Sequence, residues 1–276
     1  MSCHVFITAE IGINHNGDPA LARKMIREAA EAGCDAVKFQ KRTVDKVYTK
    51  EFLDSPRQSP WGNTQRAQKE GLEFGEKEYD MIHELCKENK IEWFASCWDV
   101  ESQKFLRKYD LKYNKIASPV LTNIPLLETC AQEGKYTFIS TGMSTWEEID
   151  TAVEIFRKYS CPFELMHCVS IYPSLPEEAN LCMIDSLRAR YSCPVGYSGH
   201  EIGHLSTLGA VALGAASIER HFTLDRNMYG SDQKSSIEPS EMREMVSFIR
   251  QMEKARGTGE RILTEKELAV RKKMRS

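Results

Sequence analysis

Along the chain, short runs that are apolar at nearly every position alternate with longer runs whose apolar residues recur at helical spacing. Eight short runs read as strands: 5–11, 36–40, 91–96, 113–118, 137–141, 163–169, 194–198 and 217–222. A strand with one wet face would alternate polar and apolar, so these runs predict parallel strands covered on both sides. The intervening stretches carry helix signals. Asp18-Pro19 supplies an N-cap and a proline for the first turn, Ala22, Met25, Ile26 and Ala29 form a stripe, and Gly33 stops it. Thr145 and Glu148 form a capping box ahead of Ile149, Ala152, Val153 and Phe156. Met242, Met245, Val246, Ile249 and Met252 mark a last helix whose methionines are core, ending before Gly257. Eight strand signals, each followed by a helix signal, predict an α/β fold, a closed (β/α)8 TIM barrel. An open doubly wound sheet is the alternative, but G-x-G-x-x-G after the first strand is missing.

The chain has 276 residues with no composition break, which fits a single barrel domain over 1–276. Two stretches interrupt the repeat. Residues 43–74 form a polar insertion after the second strand, read as a lid, an oligomer contact or a disordered loop. Residues 224–238, after the last strand, are rich in Gly, Ser and Asp. Residues 258–276 read as a C-terminal tail or shortened linker, ending in a basic run taken as solvated.

With Lys+Arg 37 against Asp+Glu 40, the net charge is −3, so neither nucleic acid nor an anionic membrane is expected as partner. No apolar run reaches the roughly 18 residues of a membrane span, and no export signal is visible at the start. Nine scattered cysteines (Cys3, Cys34, Cys86, Cys97, Cys130, Cys161, Cys168, Cys182 and Cys193) without a Cys-x-x-Cys pair fit reduced thiols and a cytoplasmic location.

In a barrel, chemistry gathers at the C-terminal ends of the strands. Those ends carry Glu10, Asn14, His15, Lys38, Gln40, Lys115, Ser118, Ser140, His167, Ser170, Tyr172, Ser198, His200, His221 and Asp232. Lys38 and Lys115 sit within apolar strands. They read either as structural ion pairs with Glu10 or a neighbour, or as paired cations clamping a phosphate or carboxylate. A Schiff-base lysine is a third reading, less suited to two lysines beside Ser118 and Ser140. His200 and His221 end consecutive strands and read as neighbours, either metal ligands or hydrogen-bonded core histidines. Two imidazoles with oxygen ligands would suit manganese better than zinc. Cys97 and Cys168 lie near strand ends, but nothing in the sequence indicates an activated thiol. His4 and His83 read as peripheral.

The runs Ala9 to Gly17, Val37 to Gln40, Ser140 to Met143, His167-Cys168, Tyr172-Pro173, Gly196 to His200 and Glu219 to Thr223 resemble the sialic acid synthase family, in order, from about residue 5 to residue 240. That family includes N-acetylneuraminate, legionaminate and pseudaminate synthases. The resemblance implies a TIM barrel that condenses phosphoenolpyruvate with an open-chain, N-acylmannosamine-like aldose, releasing phosphate and a 3-deoxy-2-ulosonic acid. It implies that His200 and His221 bind a divalent metal, manganese or magnesium, acting on the sugar aldehyde. Lys38, Lys115, Ser118, Ser140 and Ser198 would hold phosphoenolpyruvate. Glu10 would bind a sugar hydroxyl or assist proton transfer, with Asn14, Gln40, Ser170, Tyr172 and Asp232 on the substrate side. A cytoplasmic homodimer is expected by the same resemblance.

Three departures bear on the acceptor. The family's small antifreeze-like C-terminal domain is not in this sequence, which stops at Ser276 as a shortened chain or a shorter natural member. Pro119-Val120 stands where the family has glycine and an acidic residue. Ser96-Cys97-Trp98-Asp99 replaces a Ser-Thr-Pro-Phe run, and Ser170 often corresponds to Asn. The donor side is intact, which suggests a non-standard acceptor, one without an N-acyl group among the options. One alternative resembles the 3-deoxy-ulosonate phosphate synthases, with Arg57 and Arg66 as the obvious cations for an acceptor phosphate. The other is a non-catalytic sugar-binding barrel.

Overall fold

A computed structural model describes residues 4–275, so Cys3 lies outside the described residues. Ten strands form: β1 Phe6–Gly12, β2 Ala36–Lys41, β3 Pro56–Ser59, β4 Gly62–Thr64, β5 Glu92–Cys97, β6 Tyr113–Ile116, β7 Tyr136–Ser140, β8 Phe163–Cys168, β9 Val195–Gly199 and β10 Ser217–His221. Eight of them close a barrel in the order β1-β10-β9-β8-β7-β6-β5-β2, every pair parallel. All eight expected strands are these, and the expected barrel is borne out.

The helices follow their local signals. Asp18 accepts the Ala20 N–H and caps the helix Pro19–Glu31, which buries Ala22, Met25, Ile26 and Ala29 against the sheet. Thr145 and Glu148 close their capping box ahead of Trp146–Lys158. The helix Pro239–Arg256 buries Met242, Met245, Val246 and Ile249. Each outward strand face is thus dry, as at Ile7, Ala9 and Ile11, all fully buried.

The inward faces obey the period of two, and on four of the barrel strands they step from aromatic to polar. Phe6, Thr8 and Glu10 are one such series. Tyr113 and Lys115, Phe94 and Ser96, and Phe138 and Ser140 are others. Their lower members stack into an aromatic plug, with Phe6–Tyr113, Phe94–Phe138 and Phe6–Phe138 centroids at 5.1, 5.5 and 5.7 Å. Their upper members therefore open onto the C-terminal mouth.

The insertion is folded, not a disordered loop. It holds helices Val44–Val47, Lys50–Asp54 and Gln65–Leu72 and the antiparallel β3–β4 hairpin. It docks on the first and last strand-to-helix loops. Gln68 Nε2 donates to the Tyr229 hydroxyl at 3.1 Å, and Trp61 meets the Tyr229 ring edge-on. Gly17 has φ +67°, and a Cβ there would lie 2.1 Å from the Gly71 carbonyl oxygen, so this docking requires glycine.

Candidate active site

Strand register does most of the positioning. Glu10 lies opposite Lys38 on one side and His221 on the other. Lys115 pairs with Ser96, and Glu219 with Ser198. Because β10 alternates, Glu219 and His221 share the inward face while Arg220 points outward to a buried pair with Glu201 at 3.1 Å.

The result is a cavity of about 290 Å³ at the C-terminal mouth. Eleven of the expected site residues line it: Glu10, Lys38, Gln40, Lys115, Ser118, Ser140, Tyr172, Ser198, His200, His221 and Asp232. Two do not. Asn14 is turned away, its Nδ2 donating to the Phe222 carbonyl and the Ser236 hydroxyl, so it ties β1 to the last loop. Ser170 lies behind Gly142, where a Cβ would meet Ser170 Oγ at 2.5 Å and Ser118 Oγ at 2.8 Å.

At the floor, four charges interlock. Lys38 Nζ lies 2.9 Å from Glu10 Oε2 and 3.6 Å from Glu219 Oε1, and Lys115 Nζ donates to Glu219 Oε2 at 3.0 Å. Of the readings offered for the lysines, the ion pair with Glu10 or a neighbour is seen, and both ammonium groups also line the cavity. Burial raises the Glu10 carboxyl above its ordinary range, against the pull of Lys38. Burial would also raise Glu219, but Lys115 and then Lys38 outweigh it and hold that carboxylate at about 2. Lys38 is pushed down by burial, yet Glu10 and Glu219 raise it further. Lys115 has one carboxylate and a cationic neighbour, so burial prevails and its ammonium is pushed down. Serine hydroxyls surround the quartet. Ser96 accepts from Lys38 at 2.7 Å, Ser198 donates to Glu219 at 3.2 Å, and Ser118 accepts the Gly142 N–H at 3.1 Å.

On the opposite wall, the His200 and His221 rings lie 5.4 Å apart, with Tyr172 over His200 at 4.0 Å. His200 Nδ1 faces the Val169 carbonyl at 2.6 Å, so it carries the proton and leaves Nε2 as an acceptor. Burial, and then His221 beside it, hold His200 neutral with its pKa lowered to about 3. His221 Nδ1 is buried without a hydrogen-bond partner, and Asp232 Oδ2 stands 3.7 Å from it.

His15, His167 and His83 pack into the fold, and neither thiol near a strand end is activated. His15 stacks on Phe74 at 3.8 Å, and His167 contacts the Ala179 carbonyl at 2.8 Å. His83 packs on Trp93 and Tyr109. Burial pushes the Cys97 thiol far up and raises Cys168, which borders the cavity beside Ser118. The Ser96–Asp99 run divides. Ser96 and Trp98 line the cavity, whereas Asp99 caps the helix Val100–Leu106 and accepts the Thr43 N–H at 2.7 Å.

Sequence reasoning missed Glu219, Arg42, Tyr48 and Lys69 as cavity residues. Glu219 was legible from the period of two, as it lies two before His221. Arg42 likewise lies two beyond Gln40. Tyr48 and Lys69 arrive with the insertion, whose docking no local pattern announces. Arg66 points elsewhere, pairing with Asp45 at 2.7 Å and Glu70 at 3.1 Å, and Arg57 is not in the cavity wall. Among the described residues, no group of three or more His, Cys, Asp or Glu side chains gathers as a ready metal site.

A barrel that buries matched charges under an open, hydroxyl-lined mouth belongs with the TIM-barrel enzymes that act at their strand ends. Comparison with known proteins narrows this. A family model described as the NeuB family matches residues 25–261. The N-acetylneuraminate-9-phosphate synthase of Drosophila melanogaster is 41% identical over 249 residues, covering 89% of this chain and 67% of that protein. An N,N'-diacetyllegionaminic acid synthase of Legionella pneumophila is 37% identical over 279 residues, 98% of this chain and 78% of that protein. The crystal structure of N-acetylneuraminic acid (sialic acid) synthetase from Leptospira borgpetersenii, solved with citrate, superposes with a TM-score of 0.87 at 37% identity, covering 98% of this chain and 92% of that one. The chain belongs to the NeuB family, and it is a sugar-acid synthase, a transferase that condenses phosphoenolpyruvate with a sugar.

Proposed function

We propose that the cavity joins phosphoenolpyruvate to the aldehyde of an open-chain, N-acylmannosamine-like aldose, giving a sialic-acid-like 3-deoxy-2-ulosonic acid and phosphate. The observation that carries the assignment of roles is the convergence of Lys38, Lys115, His200 and His221 on one cavity. Lys38 and Lys115, with Ser118, Ser140 and Ser198, hold the donor's phosphate and carboxylate. Glu10, Gln40, Tyr172 and Asp232 face the acceptor.

The donor's methylene carbon attacks the aldehyde carbon, using the enol π electrons for the new C–C bond. The aldehyde oxygen takes up a proton, and positive character develops at the former enol carbon. Water adds there and gives up a proton. The new hydroxyl then gives up its proton as the C–O bond to phosphate breaks; phosphate leaves with the electron pair and takes up that proton, and a ketone remains. Glu10, whose carboxyl is raised by burial, is placed to pass a proton to or from the acceptor. The ammonium groups bind the departing anion, and the closed barrel floor fixes both reactants within reach of each other.

A divalent cation fits part of this wall. His200 offers Nε2, and the unpartnered buried Nδ1 of His221 offers a second nitrogen. Manganese or magnesium held there would supply a Lewis acid toward the aldehyde oxygen. A homodimer belongs to the same proposal, supported by the exposed Leu175, Ile202 and Leu205 beside the mouth; light scattering that finds a monomer at working concentration counts against it. Among the described residues no helix is long and apolar enough to cross a membrane.

The test is a screen of free and phosphorylated aldoses with phosphoenolpyruvate and manganese, read by mass spectrometry and phosphate release. A 3-deoxy-2-ulosonic acid is the expected product. If phosphoenolpyruvate is not consumed with any aldose, the proposal is wrong.

A further inference from the structure

The names of the relatives divide between phosphorylated and free products, and they leave the acceptor of this chain open. We propose that Arg42 and Lys69 form a second anion subsite, on the wall closed by the insertion, that takes the terminal phosphate of a phosphorylated acceptor aldose. The inference rests on the reaction proposed above and specifies its acceptor.

Charge matching is the starting point. In the floor quartet two ammonium groups meet two carboxylates, so that part of the cavity is balanced by its own side chains. The insertion wall is not. Lys69, half-buried, has no hydrogen-bonded or ion-paired carboxylate among the described residues; its ammonium lies 5.3 Å from the Tyr48 ring centroid. Arg42 is 8% exposed, with its guanidinium over Trp98 at 4.1 Å. Its carboxylate, Glu73, is shared. Glu73 Oε1 accepts from Arg42 Nη1 and Oε2 from Lys41 Nζ, each at 3.3 Å. Arg42 Nη2 donates to the neutral Gln40 Oε1, and Arg42 Nε is buried with no partner.

Burial and the charges of Arg42 and Arg57 push the Lys69 ammonium down, while Asp232 and Glu73 work the other way. A cation kept partly dry among other cations is costly unless an anion completes it. The hydroxyls of a free sugar would leave that charge unmatched. A phosphate monoester presents two negative charges and several oxygens, suited to a guanidinium edge and an ammonium together. Asp232, on the same cavity, remains for a sugar hydroxyl. The acceptor then runs from its aldehyde at the histidine wall to its phosphate at the insertion wall. The arginines first expected to serve an acceptor phosphate, Arg57 and Arg66, are replaced in that role by Arg42 and Lys69.

The experiment compares N-acylhexosamine 6-phosphates with the same free N-acylhexosamines, using the intact chain and the variants Lys69→Gln and Lys69→Arg. The phosphorylated acceptor should be preferred. Lys69→Gln should raise its KM by about ten- to a hundredfold, the size of a lost charge-assisted hydrogen bond. The same change should alter KM for the free sugar far less, and Lys69→Arg should restore most of the loss. Equal use of both acceptors, or equal KM changes for both in Lys69→Gln, overturns the subsite while the synthase reading stands. Should no aldose be turned over, calorimetry with the same two probes still decides. Phosphate-dependent binding lost in Lys69→Gln supports the subsite, and indifference to phosphate overturns it.

Discussion

Replacing Glu219 by leucine removes the only carboxylate bonded to Lys115 among the described residues; the Lys115 side chain is 1% exposed. At their 3.0 Å separation, Coulomb's law with an effective dielectric near 20 gives about 5 kcal/mol of attraction. Desolvation offsets much of that in the intact pair, but breaking such a pair from one side exposes the full cost, about 3–5 kcal/mol. Lys38 also loses its 3.6 Å contact with Glu219 but keeps Glu10 at 2.9 Å, so most of the damage falls on Lys115. With unfolding entropy near 2.1 cal/mol/K per residue over 276 residues, each kelvin corresponds to about 0.6 kcal/mol, and Tm should fall by roughly 5–9 °C. Removing both charges in Lys115→Met with Glu219→Leu should recover at least half of that loss, because two apolar side chains can fill the space of a buried pair. Activity should not recover, since the donor loses a cation. Urea denaturation and calorimetry on both single variants and the double, beside a phosphate-release assay, measure the cycle. If the double variant is as unstable as the singles added together, the two charges are not coupled and the quartet is misread.

Other consequences are as direct. Asp99→Ala removes a helix cap and the anchor of Thr43, and should cost about 1–2 kcal/mol and weaken acceptor binding through the insertion. Hydrogen bonds from Ser102 and from Thr43 hold the Asp99 carboxyl below its ordinary 3.8 despite its burial, so this contribution is complete above pH 3.8 and fades as pH falls below it. Denaturation curves across that range should show the acid loss in the wild type and less of it in the variant. Gly142→Ala places a methyl 2.8 Å from Ser118 Oγ, and KM for phosphoenolpyruvate should rise several-fold; an unchanged KM means Ser118 does not hold the donor. His221→Ala should abolish metal-dependent turnover with an unaltered circular dichroism spectrum. Activity that survives both chelator and this substitution removes the metal from the proposal.

The barrel was legible because each of its units carries its own signals. Unbroken apolar strands such as the one at Ile7, Ala9 and Ile11, and caps such as Asp18 and Thr145, act over a few residues and need no distant partner. Most of the site was legible for a related reason. Once strands are parallel, residues at their C-terminal ends gather at one mouth whatever the helices do, and this placed Lys38, Lys115, His200 and His221 together. Asn14 failed because a polar residue in a turn can equally satisfy backbone groups, as it does with the Phe222 carbonyl.

What the sequence determined by itself was thus the periodic part: the strands, the helix caps, and the ring of polar side chains where strands end. The tertiary structure decided how charges at that ring pair across strands, Glu219 between Lys115 and Lys38, and how the insertion closes over it with Lys69 and Tyr48. The physical reason is range. Periodicity and capping act within a few residues of sequence, whereas the Lys115–Glu219 pair joins positions 104 residues apart and exists only after the barrel closes.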